Sequence, residues 1–147
     1  MTTTVGTENQ MNDLLGNLLK LEHDAIAAYE ATIERLDDAE SKAQIESFRQ
    51  DHNKHVAELE SHAAKHGVDV PKEGDMKQYL TTGKVALAEL AGDQTILKAM
   101  KTNEDDTVQA YEQALSNSLS EGELRATFEK ALADEKRHRS WMESKAA

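Results

Sequence analysis

The sequence predicts an all-α protein, built as two helical hairpins packed into a four-helix bundle. Three observations predict it. The composition is rich in Ala, Glu, Lys and Leu, with one Pro (Pro71) in 147 residues and only 4% aromatic residues, which favours helix over strand. Apolar residues recur at helical spacing in four long stretches. The two halves of the chain also repeat one another.

Residues 1–6 read as a short disordered lead, and 7–147 as one domain, long enough to build a full core. Thr7 followed by Gln10 resembles a capping box. The first helix then runs to about Leu36 with the stripe Leu15, Leu18, Leu19, Glu22, Ile26, Tyr29, Ile33, Leu36. Asp37-Asp38 makes a tight break. A second helix, from about Ala39 to His66, carries Ile45, Phe48, His52, His55 and Leu59, and Gly67 ends it. The first hairpin therefore occupies 7–66.

Residues 67–92 hold Pro71, Gly74, Gly83 and Gly92 around one short apolar helical stretch, Val85 to Leu90, and read as a long crossover. Gly83-Lys84 lacks the glycine spacing and the following Ser/Thr of a phosphate loop. The second hairpin occupies 93–145. Asp93 is positioned to cap a third helix reaching about Asn117, with the stripe Leu97, Met100, Glu104, Val108, Tyr111, Leu115. Ser120 with Glu123 gives a second capping box, and the last helix runs to about Lys145 with Leu124, Phe128, Ala131, Glu135, His138 and Met142 on one face. The sequence of short turn, long crossover and short turn specifies a bundle with one crossover.

The repeat locates the chemistry. Glu22-His-Asp-Ala-Ile-Ala-Ala-Tyr29 aligns with Glu104-Asp-Asp-Thr-Val-Gln-Ala-Tyr111 at an offset of 82, and Asp51-His52-Asn-Lys-His55 with Asp134-Glu135-Lys-Arg-His138 at 83. Glu22 and His52 each lie about 15 residues from the Asp38 turn, roughly 22 Å along their helices. Glu104 and Glu135 are similarly placed about the Ser118–Ser120 turn. Packing the hairpins around a pseudo-twofold axis brings Glu22, His52, His55, Glu104, Glu135 and His138 into one layer. Tyr29 and Tyr111 stand two turns on from Glu22 and Glu104 along the same face, where their hydroxyls can back the layer.

Burying six ionisable groups is costly unless they are compensated. A metal ion compensates them. A metal-free Glu–His network that only fixes helix register is the alternative. Three carboxylates and three imidazoles suit a borderline divalent ion, with iron first and manganese or zinc as competitors. His23, His62 and His66 read as surface residues, and Glu30 and Glu112 as solvated.

Other classes are excluded by composition. A formal net charge of −11 without a basic patch argues against nucleic acid. The absence of Cys removes disulfides, thiolate zinc sites and iron–sulfur clusters. No apolar run reaches the roughly 20 residues of a membrane span, and the N-terminal residues lack the pattern of a secretory leader. A soluble, cytoplasmic protein with no membrane partner is the expectation.

At these residues the chain resembles the ferritin-like superfamily, which includes bacterioferritin and the rubrerythrins, over about residues 8–145. In that superfamily the first and third helices each give one Glu and the second and fourth each give Glu-x-x-His. Glu22, His55, Glu104, Glu135 and His138 fit those positions. More narrowly, residues 100–115 (MKTNEDDTVQAYEQAL) and 131–141 (ALADEKRHRSW) look like a bacterial ferritin-like domain family of unassigned function. The resemblance implies a ferritin-like bundle holding one or two iron ions, di-iron carboxylate chemistry of the oxidase or peroxidase type with oxygen or peroxide, and a homodimer. Its alternatives are a non-catalytic iron-handling protein and a metal-free structural or stress-response bundle. His52 departs from the pattern by standing where the superfamily has a bridging Glu. That leaves three carboxylates in place of four, makes Glu135 the one bridging carboxylate, and points to an asymmetric site. Without Cys there is no rubredoxin-type electron pathway.

Overall fold

The computed structural model describes residues 3–72 and 90–147. Four helices account for most of them. Helix α1 spans Met11–Arg35, α2 Ala39–His66, α3 Asp93–Ser116 and α4 Gly122–Ala146. There is no strand among the described residues. The protein is an all-α four-helix bundle, as the periodicity predicts. The short helix expected around Val85–Leu90 lies almost wholly outside the described residues.

Helix α1 pairs with α2 and α3 with α4, and the two hairpins meet where α1 packs on α3 and α2 on α4. The chain ends of these elements give their directions. The Arg35 guanidinium at the end of α1 donates to the Leu90 carbonyl just before α3, and Gln94 at the start of α3 donates to the Ala146 carbonyl at the end of α4. Helices α2 and α3 therefore run parallel, and residues 67–92 connect opposite ends of the bundle, a distance of about 40 Å for helices of this length.

The local rules that end the helices are partly those read from the sequence. Asp38 caps α2 by accepting from the Ser41 N–H and hydroxyl. Gly67 closes the same helix in the left-handed region at φ 65°, and the Gly67 and Val68 N–H groups bond back to the Ala64 and Ala63 carbonyls. The other expected caps differ. Helix α1 starts at Met11 after an uncapped Gln10, and the Thr7 hydroxyl donates to the Thr4 carbonyl. Helix α4 starts after Glu121 with no side-chain cap, and the Ser120 hydroxyl is buried without a partner. Asp93 is the first helical residue of α3, following Gly92. Its carboxylate accepts from the Asp37 and Asp38 N–H groups at 2.9 and 3.0 Å. The residue expected to cap its own helix instead fastens the two hairpins together.

Residues 3–8, most of them read from sequence as a disordered lead, lie along the end of α3. Gln113 donates to the Thr3 and Val5 carbonyls, and Asn117 to those of Gly6 and Glu8. Tertiary hydrogen bonds, which local composition does not reveal, order them. Gly6 is the hinge of this contact. Its φ is 102°, and a Cβ there would stand 2.4 Å from the Ala110 carbonyl oxygen.

The core is divided along the bundle axis. One apolar cluster gathers Leu14, Leu15, Leu18, Leu19, Leu59, Tyr111, Leu124 and Phe128. The other gathers Tyr29, Leu36, Ile45, Phe48, Ile96, Leu97, Met100 and Met142. Between them lie Glu22, His52, His55, Glu104, Glu135 and His138, none more than 5% exposed.

Replacing Gly6 by Ala is expected to cost about 1–3 kcal/mol, from backbone strain and the forced separation from α3. Urea unfolding followed by circular dichroism measures it; an unchanged midpoint would show that residues 3–8 add nothing to stability.

Candidate metal centre

Each helix delivers its polar residues to the layer for the reason it delivers apolar ones, since they occupy core-facing positions of the same stripe. On α2, His52 and His55 continue the face of Ile45 and Phe48 and lead on to Leu59; on α4, Glu135 and His138 lie between Ala131 and Met142. The structure brings all six sequence-predicted residues together. Their ligand atoms form two overlapping groups, Glu22, His52, His55 with Glu135, and His52, Glu104, Glu135 with His138. Within each group the atoms lie within 4.8 Å of one another.

The hydrogen bonds follow the pseudo-twofold and cross between hairpins. Tyr111 donates to Glu22 Oε1 at 2.6 Å, and Tyr29 donates to Glu104 Oε1. Each tyrosine thus serves the glutamate of the other hairpin, whereas sequence spacing relates it to the glutamate on its own helix. The histidines are held the same way. His55 Nε2 donates to Asp134 Oδ2 at 2.8 Å, and His138 Nε2 donates to Asp51 Oδ2 at 2.8 Å. Arg137 joins the two aspartates, 2.8 Å from Asp51 and 3.1 Å from Asp134.

Sequence reasoning missed this pair of aspartates. Asp51 lies about 100° off the core stripe of its own helix, which speaks against it as a ligand. That offset nevertheless points it across the α2–α4 seam, to the outer nitrogen of the other hairpin's histidine. The available signal was its alignment with Asp134 in the repeat. Two histidines read as surface residues are in fact buried. His23 is 8% and His62 6% exposed. His62 Nε2 bonds to Thr127 Oγ1 at 2.8 Å, away from the layer. Glu30, Glu112 and His66 are exposed as expected.

Electrostatics in the layer are set by burial against close charges. Burial raises the Glu22 acid, but His55 and His52 outweigh it and bring its pKa down to about 2. Glu104 is pushed well above the carboxylate range by burial and by the neighbouring Glu135. Burial also raises Glu135, but the close His52 charge outweighs it and holds the group well below its ordinary value. Burial lowers His52 and His55, while the carboxylates around them, Glu135 and Glu22 for His52 and Glu22 and Asp134 for His55, raise both well above the imidazole range. Tyr29 and Tyr111 are raised by burial and by Glu104 and Glu22 respectively, so both hydroxyls keep their protons as donors.

The network nonetheless leaves polar atoms unsatisfied. His52 Nε2, Glu104 Oε2 and both Glu135 oxygens are buried without a hydrogen-bond partner. Each such atom costs about 1–3 kcal/mol, and more if charged. His52 Nε2 lies 3.5 Å from Glu135 Oε1, one of the unpartnered oxygens, and 3.6 Å from Glu104 Oε1, the oxygen that accepts from Tyr29. A divalent cation bound among these residues would displace the protons held on His52 and Glu104 and take up the atoms the network leaves unpaired.

Fold and site together define an all-α four-helix bundle with a buried Glu/His cluster that could hold a metal ion. The chain belongs to the family described as Domain of unknown function (DUF2383), which matches residues 10–117. That match takes in Glu22, His52, His55 and Glu104 and ends before α4, which carries Glu135 and His138. No curated protein and no solved structure matches the chain. No described helix is long and apolar enough to cross a membrane.

Removing the Tyr111 hydroxyl with Tyr111→Phe deprives buried Glu22 of one donor and is expected to cost about 1–3 kcal/mol in the metal-free protein. Glu112→Ala, one residue along and exposed, is expected to stay within about 0.5 kcal/mol of the parent. Urea unfolding in the presence of a chelator compares the two, and equal midpoints would contradict the assigned bond.

Proposed function

We propose that this is a ferritin-like metalloprotein that binds one or two divalent ions, iron first with manganese or zinc as competitors, in the layer between the two apolar clusters. The observation that carries this reading is the set of four buried, unpartnered atoms on His52, Glu104 and Glu135, in a group whose ligand atoms lie within 4.8 Å of one another. A network evolved only to fix register gains nothing from leaving them unpaired, because half-satisfied buried networks are worse than apolar packing. The donor set, imidazole nitrogens and carboxylate oxygens without thiolate, suits iron, manganese or zinc.

Iron bound here would supply one-electron redox chemistry toward dioxygen or peroxide. The protein's own contributions are specific. Asp51 and Asp134 fix the rings of His138 and His55 and set which nitrogen faces inward, as carboxylates do behind metal-bound histidines. Tyr29 and Tyr111 hold Glu104 and Glu22 in place from the two ends of the bundle. Leu15, Leu59 and Phe128 on one side and Phe48, Met100 and Met142 on the other keep bulk water from the layer. Whether the ions turn over or are only held is a distinction for kinetics. Catalytic consumption of peroxide with a reductant supplied supports the oxidase or peroxidase reading; stoichiometric oxidation alone supports iron handling.

Anaerobic titration of Fe(II) into chelator-treated protein is expected to give saturable binding that Glu104→Ala and Glu135→Ala each abolish. A ligand at about 100 times its Kd stabilises the native state by about 2.7 kcal/mol, a rise in Tm on the order of 5–10 °C for a chain of this size. Absence of both saturation and a Tm shift with Fe(II), Mn(II) and Zn(II) would leave the metal-free structural bundle as the reading.

A further inference from the structure

The three imidazoles of the layer are not equivalent, and accounting for their ring nitrogens divides the site into a finished half and an unfinished one. His55 has both nitrogens taken by carboxylates, Nε2 by Asp134 at 2.8 Å and Nδ1 by Glu22 Oε1 at 3.1 Å. Glu22 has both oxygens taken, Oε1 by His55 and by Tyr111 at 2.6 Å, and Oε2 by His52 Nδ1 at 2.7 Å. Nothing in this half lacks a partner.

On the other side, His52 and His138 follow one rule. Each gives one ring nitrogen to a carboxylate, His52 Nδ1 to Glu22 and His138 Nε2 to Asp51, and turns the other inward. The inward nitrogens face Glu104 and Glu135. His52 Nε2, Glu104 Oε2 and both Glu135 oxygens have no partner. His138 Nδ1 has only the Tyr29 hydroxyl, at 3.3 Å, whose hydrogen goes to Glu104.

Spacing separates the halves as well. Four ligands about 2.1 Å from one ion in a tetrahedron stand roughly 3.4 Å apart. In the unfinished half the separations come near that value: His52 Nε2 lies 3.5 Å from Glu135 Oε1 and 3.6 Å from Glu104 Oε1, and His138 Nδ1 lies 3.8 Å from Glu135 Oε2 and 3.9 Å from Glu104 Oε1. In the finished half Glu22 stands 2.7 and 3.1 Å from the two histidines, which is hydrogen-bond spacing, and His55 Nδ1, although 3.4 Å from Glu135 Oε1, is already bonded to Glu22. Charge points the same way. One divalent ion neutralises the Glu104 and Glu135 carboxylates, the pair the unfinished half leaves without donors on three of its four oxygens.

We propose that the layer holds one divalent ion tightly, between His52 Nε2, Glu104, Glu135 and His138 Nδ1, and that Glu22 and His55 are positioning residues rather than ligands. Glu22 orients the His52 ring through Nδ1, and His55, anchored on Asp134, holds Glu22 in place. This inference rests on the proposed metal binding and narrows it to one site of stated composition.

Titration of chelator-treated protein with Zn(II) by calorimetry, and with Co(II) by visible absorption, tests it. One ion per chain is expected, with any second ion bound at least 100-fold more weakly. Glu135→Gln and Glu104→Gln are expected to abolish tight binding. Glu22→Gln and His55→Asn are expected to keep one ion per chain with affinity lowered about 10–100-fold. Glu22→Gln should also shift the Co(II) bands, because the His52 ring that binds the ion loses its carboxylate at Nδ1; Glu112→Ala, exposed on α3, should leave them unchanged. Two ions of comparable affinity in the native chain overturn the inference while sustaining metal binding. So does loss of binding in a helical, cooperatively melting Glu22→Gln variant as complete as in Glu135→Gln. If the Glu22 variant does not fold, native stoichiometry together with His55→Asn decides. Absence of any binding by the native chain overturns the metal reading and this inference with it.

Discussion

Everything in this protein is arranged around the burial of six ionisable side chains between two apolar clusters. Isolated charges in such a place would cost many kcal/mol, so the surrounding structure exists in large part to compensate them. Two tyrosines reach the layer from opposite ends of the bundle and two aspartates reach it from the α2–α4 seam. Each comes from one hairpin and serves the other. The layer therefore couples the hairpins, and a change in it is felt by all four helices.

The duplication explains how such a layer can be specified by so few residues. A hairpin with Glu and Tyr on its first arm and Asp-x-x-x-His on its second supplies half of every crossed pair. Two copies around a pseudo-twofold axis complete them. Among the six residues of the layer the copies differ at one position, His52 against Glu135. That difference breaks the symmetry of the site. A carboxylate at 52 could share its two oxygens between two ions; an imidazole gives one nitrogen to Glu22 and has a single inward nitrogen left.

Outside the layer, stability and order come from contacts that connect distant parts of the chain. Asp93 ties the start of α3 to the α1–α2 turn, and Gln113 and Asn117 gather residues 3–8 onto α3. These polar clamps sit at opposite ends of the bundle. The long α2 and α3 run parallel between them.

The four helices, their core faces and the membership of the layer were legible in the sequence because they depend on a single periodicity. Most core-facing positions of an amphipathic helix are buried whatever their partner, with Ile26, Ile33 and Leu115 of the predicted stripes only half-buried, so Glu22, His52, His55, Glu104, Glu135 and His138 could be named from spacing and the repeat alone. Who bonds to whom was not legible. The crossed tyrosines, the role of Asp51 and Asp134, the loss of Asp93 as a cap and the seating of residues 3–8 all depend on distances between helices, which no pattern within one helix encodes. Asp51 shows the limit most plainly. Its angle on α2 excludes it from its own stripe, and only the closeness of α4 turns that same angle into a hydrogen bond with His138. The sequence by itself determined that six ionisable groups would be buried together; the tertiary structure decided which of their atoms are satisfied and which are left facing one another.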